Sequence, residues 1–234
     1  MNPSNKTART AGAFYLAYIV ITILGAGFGA SALIKSGDAA GTVNNILAHE
    51  AQFRLGFMID LLAALLFLLT AWALYALLKP VNKNLALLFL LLNLGGVVVQ
   101  CLSDLFLFAP LVLLNSSGSM NVFPAEQVQA LVMFFLDLNE NGFMLAQLFF
   151  AAWLFPLGVL VFKSGFLPKI LGIILLIHFF SWSATFVCYF LFPGFTAITF
   201  ISYPLGLVSE AGLTLWLLIK GVGHQAPTLV ESRS

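Results

Sequence analysis

Six long apolar runs alternate along this chain with short segments that carry most of its positive charge. The chain has ten Lys and Arg residues, and eight of them fall at every second boundary between the runs. In helical membrane proteins an excess of Lys and Arg marks the short cytoplasmic segments. The pattern therefore predicts an all-α polytopic membrane protein, a bundle of six transmembrane helices with both termini in the cytoplasm. The eight residues are Lys6, Arg9, Lys79, Lys83, Lys163, Lys169, Lys220 and Arg233.

Apolar runs of this length require helices. Within hydrocarbon every backbone N–H and C=O must be paired internally, which leaves α-helices and closed barrels, and runs of about twenty residues fit a helix. Hydrophobic residues make up 61% of the chain and charged residues 8%, whereas soluble domains have roughly 25% charged residues. The formal net charge of +1 gives no general attraction to nucleic acid, so no nucleic-acid partner is expected.

The ends of the spans follow from the turn residues and basic residues between the runs. The first run can also be interpreted as a signal peptide, because Lys6 and Arg9 precede it and residues 30–32 resemble a cleavage site. Its uninterrupted apolar stretch exceeds the roughly 7–15 residues of a typical signal core, which favours a retained span. We predict one domain over residues 1–222, followed by a short polar tail at 223–234. Its spans are about 11–34, 53–78, 85–114, 142–162, 167–191 and 197–219.

A short amphipathic helix is expected on the outer side after span one. Asp38 is suited to cap the N-terminus of such a helix. The apolar residues that follow, including Val43 and Ile46, recur with the spacing of one helical face. We therefore expect this helix to lie along the membrane surface.

A second outer helix is expected before span four. It begins after Pro124, and Glu126 falls at the positive end of its dipole. One unbroken helix from Pro124 to Phe162 would be about 57 Å long, nearly twice the hydrocarbon thickness of about 30 Å. A break at 137–142 is therefore predicted, with span four starting near Gly142.

Aromatic residues near the ends of the spans are expected to lie at the membrane boundaries. Trp and Tyr favour these boundaries because their rings are amphipathic. Near the cytoplasmic ends they are Trp72, Tyr75, Trp153 and Trp216, and near the outer ends Tyr189 and Tyr203.

Four segments taken together resemble one known family. They are Phe53-Arg54-Leu55-Gly56 with Asp60, the turn at 78–87, the turn at 162–172, and Glu210 with 215–221. Over nearly its whole length the chain resembles the bacterial membrane family catalogued as domain of unknown function 4386. The resemblance implies a six-span integral protein of the bacterial cytoplasmic (inner) membrane, and it brings no established activity.

The polar residues of spans two to four concentrate in the outer half of the membrane. At a rise of about 1.5 Å per residue, Asp60 lies about 28 Å from Lys79 and Asp104 about 30 Å from Asn84, so both reach one level. Spans two, three and four can therefore line one outward-facing polar pocket. The alternative is that Arg54 neutralises Asp60 or Glu140 near the surface and that headgroups and water satisfy the other groups. The candidate ligand-binding residues are Arg54, Asp60, Gln100, Asp104, Glu140 and Gln147.

A second polar pair lies deeper. His178 and Glu210 are each ten residues from a cytoplasmic turn, which places both about 15 Å deep, near the middle of the bilayer. If spans five and six are neighbours, the two side chains can meet and relay protons or orient a polar substrate. The alternative is a hydrogen bond between helices, with Ser181 or Ser209, that fixes packing.

The sequence lacks complete motifs for catalysis, metals or cofactors. His49-Glu50 begins like a zinc-protease motif, but Phe53 stands where the second histidine belongs. His49, Asp60, Asp104 and Glu140 include no pair with a tight metal-ligand spacing, so no metal site and no cofactor is predicted. There is neither a Gly-x-Ser-x-Gly elbow nor a Gly-rich phosphate loop. No catalytic residue is assigned.

Three functions agree with these observations. The first is binding or transport of a lipid or small amphiphile through the outward-facing pocket, and the second is an accessory membrane protein without its own ligand. The third is an intramembrane enzyme that acts on lipid headgroups. The expected partners are membrane lipids, and a homo-oligomer is left open.

Overall fold

The computed structural model describes residues 4–116, 123–192 and 194–223, and within these ranges the chain is helical without β-strands. A 3₁₀ helix, Ala30–Leu33, follows the first α-helix. The predicted all-α fold with six long apolar helices is confirmed. The tail at 223–234 lies almost wholly outside the described residues. The α-helices are α1 (Asn5–Phe28), α2 (Ala39–Ala48), α3 (Glu50–Leu78), α4 (Lys83–Leu114), α5 (Ala125–Lys163), α6 (Lys169–Leu191) and α7 (Thr199–Ile219).

Short polar side chains begin three of these helices. The side chains of Ser4, Asp38 and Asn82 each accept a hydrogen bond from a backbone N–H in the first turn of the helix that follows. Such caps satisfy donors that have no partner inside the helix. The expected short helix after span one is therefore present as α2, with Asp38 as its cap.

The six long helices form a closed ring. Each packs on the next in chain order, from α1 to α3, α4, α5, α6 and α7, and α7 packs back on α1. All six are long and apolar enough to cross a membrane, so the protein is a multi-pass membrane protein. Neighbours run in opposite directions, so the turns with Lys79, Lys83, Lys163 and Lys169 lie at the end of the ring where α1 begins and α7 ends. We call this the basic end.

Glycines allow two pairs of helices to approach closely. A Cβ on Gly56 of α3 would collide with the backbone of Gly29 and Ala30. A Cβ on Gly172 of α6 would lie 2.6 Å from the Phe162 N and 2.8 Å from the Gly158 O of α5. Small residues permit this contact between backbones, which is common in membrane helices.

The half of the ring near the basic end is filled by apolar side chains. Leu74, Leu77, Leu157 and Leu217, from three different helices, are fully buried there. Trp153 is also buried, with its ring centroid 4.9 Å from that of Phe67 and 6.2 Å from that of Phe89. The expectation that Trp153 lies at a membrane boundary is wrong, because its face of α5 is turned into the ring.

The opposite end is partly covered by the 3₁₀ helix and α2. Both pack on α3, and α2 also contacts α5. Leu33 and Ile46 of this cover form a second apolar cluster with Phe53 of α3, Leu111 of α4 and Val132 of α5. The cluster fixes the cover over the α3, α4 and α5 side of the ring.

The predicted break between the outer helix and span four is wrong. α5 continues without interruption from Ala125 to Lys163, 39 residues, or about 58 Å. Helix α5 packs on α2 and α4, and Val132 and Leu136 near its start are buried in the apolar cluster of the cover. The Asn141 side chain donates to the Asp137 carbonyl one turn earlier at 2.8 Å. Packing on the cover therefore lets one helix serve as both predicted segments.

Candidate functional site

A partly open cavity of about 630 Å³ lies inside the ring, in the half away from the basic end. All six long helices contribute to its walls. Its volume is within the range of about 300–1,000 Å³ that small-molecule sites occupy. The polar or ionisable side chains among its lining residues are Tyr18, Thr22, Ser31, Asp60, Gln100, Asp104, Asn139, Gln147, Trp153, His178, Trp182, Thr185, Ser202, Tyr203 and Glu210.

Asp60 of α3 and Asp104 of α4 line the cavity together, and their carboxyl groups interact electrostatically. Asp104 is only 4% exposed, and its Oδ2 has no hydrogen-bond partner among the described residues. Asp60 is half-buried opposite Gly25 of α1, where a Cβ would lie 3.4 Å from Oδ1. Helical rise predicts that the two acids lie at one level, and the structure places both of them in the lining of one cavity.

The wall next to Asp104 is held by a clasp between α4 and α5. The Ser103 hydroxyl donates to the Asn139 carbonyl at 2.6 Å, and the Asn139 amide donates to the Ser103 carbonyl at 3.0 Å. Gly142 leaves room for this contact, since a Cβ there would lie 2.7 Å from the Ser103 Oγ. Reciprocal bonds of this kind fix the two helices, and with them the position of Asp104.

Gln147 joins α5 to α6 on the cavity wall. Its Oε1 accepts a hydrogen bond from the Trp182 indole N–H at 2.8 Å. An indole N–H can only donate, so this bond determines which amide atom of Gln147 is the oxygen. The Gln147 NH₂ group is thus left to bind an acceptor. Gln100 of α4 lines the same cavity.

His178 and Glu210 both line the cavity but have different partners. The His178 Nδ1 is 3.0 Å from the Ser209 hydroxyl, which also donates to the Gly206 carbonyl at 2.9 Å. Glu210 instead interacts with Tyr15 and Tyr18 of α1. The bond between helices with Ser209, the alternative considered for His178, is therefore present, and the two side chains do not form the expected pair.

Three hydroxyl groups join α6 and α7 farther from the basic end than His178. The Ser202 Oγ lies 2.6 Å from the Ser181 Oγ and 2.7 Å from the Thr185 Oγ1. Ser202 also donates to the Ile198 carbonyl at 3.0 Å. These bonds hold the first half of α7 on α6.

Arg54 and Glu140 lie outside the cavity lining. Arg54 forms a salt bridge with Glu50, with 2.6 Å between Nη2 and Oε1, and its guanidinium lies 5.7 Å from the centroid of the Phe108 ring. Glu140 is exposed on α5. Arg54 therefore neutralises an acid one turn away on its own helix rather than Asp60.

The cavity reaches the surface of the ring between α1 and α7. Ile23 of α1 and Leu207 of α7 line it, yet they are 61% and 60% exposed. The outer half of α1 packs on α3 through Gly25 and Gly29, whereas α7 meets α1 near the basic end, where Leu218 faces Gly12. The two helices therefore diverge away from the basic end and leave an opening in the apolar wall.

Aromatic rings form much of the remaining wall, although their positions in the sequence did not predict them as part of the site. Tyr18 stacks on Phe67 with 4.4 Å between centroids, and Trp182 meets the Tyr203 ring at 5.3 Å. One signal was available, because Trp182 follows His178 by four residues and so shares its helical face. Their ring centroids are 5.7 Å apart.

The chain matches a protein family to which no activity is assigned. Residues 10–221 match the family model described as Domain of unknown function (DUF4386). The chain belongs to this family. No curated protein and no solved structure matches the chain. The DUF4386 match spans nearly all of the ring, so the residues of the cavity lie within the family's own domain. The described residues contain no group of three or more His, Cys, Asp or Glu side chains placed to bind a metal ion.

Proposed function

We propose that the protein binds a lipid or small amphiphile in the ring cavity, and that the basic end faces the cytoplasm. The observation that carries this proposal is the cavity itself, which combines the size of a ligand site with two unlike surfaces. Asp60, Asp104 and Gln147 supply polar contacts, and aromatic rings supply apolar ones. An amphiphile has the same two parts, so the walls match its polar head and its apolar body.

The opening between α1 and α7 supports the same proposal. An amphiphile concentrates in the membrane, so a site that opens through an apolar wall can be reached from the bilayer. Polar residues within spans are costly and usually face such a wet interior. Binding is the first step of transport, and the cavity supports either role.

Hydrolysis is less well supported than binding, although a serine and a histidine meet in the ring. Ser209 is only 1% exposed and is not among the residues that line the cavity. A nucleophile must come within about 3–3.5 Å of the reacting atom. A buried hydroxyl that does not line the cavity does not meet that requirement, so this pair is better explained as a bond that fixes packing.

A thermal-shift screen of the purified protein with lipids and metals tests the proposal. We expect at least one lipid or amphiphile to raise the unfolding temperature of the wild type. Asp60→Asn should keep the fold but lose this protection, because the substitution removes a charge from the site and little volume. Asp38→Asn, on the exposed cap of α2, should behave like the wild type, since asparagine also caps helices. Protection that survives in Asp60→Asn would contradict a site at Asp60, and the absence of protection by every lipid and amphiphile would favour an accessory role.

A further inference from the structure

The ionisable groups of the cavity are unbalanced in charge. Asp60, Asp104 and Glu210 bring three carboxyl groups to the lining, and no lysine or arginine is among the lining residues that the structure describes. Arg54, the basic residue expected to face Asp60, is bound to Glu50 instead. The cavity therefore offers carboxyl oxygens as hydrogen-bond acceptors, and no lysine or arginine charge that would repel a cation, to whatever enters it.

Asp104 provides a second observation that points to a ligand. The side chain is more than nine-tenths buried and lines the cavity, and its Oδ2 has no hydrogen-bond partner among the described residues. Buried polar atoms in native proteins nearly always have partners, and leaving one without a partner is destabilising. A donor on a ligand would remove this cost.

The aromatic walls suit the same kind of ligand. Tyr18, Phe67, Trp153, Trp182 and Tyr203 present their rings around the space next to the acids. Organic cations are attracted to the faces of such rings as well as to carboxylates. A metal ion would require several ligands at once, and the described residues contain no group of three or more suited to one.

We propose that the ligand carries an ammonium group on an apolar body, that Asp60 and Asp104 bind the ammonium group, and that the aromatic rings contact the body. This proposal rests on the proposed function, since it specifies the head group of the amphiphile. A free amphiphilic amine and a lipid with an ammonium headgroup share this chemistry.

Three probes with one alkyl chain test the head group. Octylamine is protonated at neutral pH as lysine is, 1-octanol is neutral and octanoate is anionic. Each is titrated into the full-length protein in phosphatidylglycerol nanodiscs, with empty nanodiscs as the reference for partition into lipid. Binding is followed by tryptophan fluorescence and by the unfolding temperature. We expect octylammonium to bind about tenfold more tightly than octanol, and octanoate more weakly than either, since a charge-assisted hydrogen bond is stronger than one between neutral groups.

Two substitutions separate charge from shape. Asp104→Asn keeps the size of the side chain and removes its charge, so it should reduce the preference for octylammonium over octanol to less than about threefold. Asp137→Asn removes an acid from the exposed face of α5, outside the lining, and should leave the preference unchanged. The unfolding temperature without probe shows whether each variant folds.

The outcomes distinguish this proposal from the proposed function. If octanol or octanoate binds as tightly as octylammonium and Ala26→Trp, at the opening between α1 and α7, abolishes that binding, then the cavity is an amphiphile site and the ammonium proposal is overturned. If no probe binds, the ammonium proposal also falls, and the lipid screen alone decides the function. Phosphatidylethanolamine in the nanodiscs identifies the source, because a lipid ammonium that occupies the site would lower the apparent affinity for octylammonium.

Discussion

At the scale of single residues, the hydrogen bond between His178 and Ser209 is a buried link between α6 and α7. Both side chains are nearly inaccessible, and the hydroxyl also donates to a carbonyl of its own helix. Removing Ser209 leaves the buried His178 Nδ1 without this hydrogen bond, which costs roughly 1–3 kcal/mol, whereas removing His178 leaves the Ser209 hydroxyl its bond to the Gly206 carbonyl. The pair therefore contributes to the stability of the wall on which Trp182 and Tyr203 sit.

A double-mutant cycle measures this link. We expect His178→Ala and Ser209→Ala together to destabilise the protein by about 1 kcal/mol less than the sum of the single changes, because the second substitution strands no further partner. Unfolding titrations in mixed micelles give the three free energies. His178→Ala with Thr70→Ala serves as the control and should be additive, since Thr70 donates to Leu66 within α3. Additive effects at His178 and Ser209, with coupling between His178 and Glu210, would contradict the observed contact.

The depth of a residue could be predicted from the sequence, whereas its direction around the helix could not. A fixed rise per residue placed Asp60 and Asp104 at one level, and the structure brings them together. The same rule puts Trp153, ten residues from Lys163, about 15 Å from the basic end. This depth is near the middle of the bilayer and not at its boundary. Direction depends on how each helix rotates against its neighbours. This is why Arg54 was expected near Asp60 and instead meets Glu50, four residues earlier.

At the scale of helices, the contact between α3 and the end of α1 depends on Gly56. A Cβ there would collide with backbone atoms of Ala30 and Gly29, which cannot move aside as a flexible side chain can. The close approach holds the outer half of α1 on α3, away from α7. The opening of the cavity therefore depends on this glycine.

Gly56→Ala is expected to destabilise the protein by about 1–3 kcal/mol, the usual cost of overpacking. Gly27→Ala adds the same methyl group to α1, where nothing lies within 4 Å, and should be neutral or stabilising by up to about 1 kcal/mol. Thermal unfolding in detergent compares the two. Equal stability of both variants would show that the approach of α1 to α3 is looser than described.

Helix α5 shows that the length of a helix cannot be predicted from the hydrocarbon thickness alone. The hydrocarbon thickness limits how much of a helix lies in lipid, but it does not end a helix that finds other partners beyond the lipid. Val132 and Leu136 are buried against the cover at the end opposite the basic end, and Asn139 is fixed by Ser103. These contacts join residues far apart in the chain, so the spacing of residues within α5 did not reveal them.

At the scale of the whole molecule, the distribution of basic residues predicts which end of the ring faces the cytoplasm. In a background without Cys101 and Cys188, a cysteine at Ser36 should react with an impermeant maleimide on intact cells. A cysteine at Asn84, exposed at the basic end, should react only after permeabilisation. The reverse pattern would mean that the cavity half of the ring faces the cytoplasm.

The closed ring explains why polar residues of all six long helices can meet although the chain has no compact motif. Helices that are neighbours in sequence are neighbours in space, and α7 closes the ring on α1. The family match gives no chemistry for the space inside the ring. The proposed function therefore depends on whether an amphiphile occupies this space.

Photolabelling tests occupancy of the cavity most directly. Diazirine analogues of octylamine and octanol are activated in nanodiscs, and the labelled peptides are mapped by mass spectrometry, with and without excess unlabelled probe. We predict competed labels at Tyr18, Phe67 and Trp182 on the cavity wall. Labels confined to lipid-facing residues such as Phe200, 81% exposed, and unchanged by competitor would contradict a ligand site inside the ring.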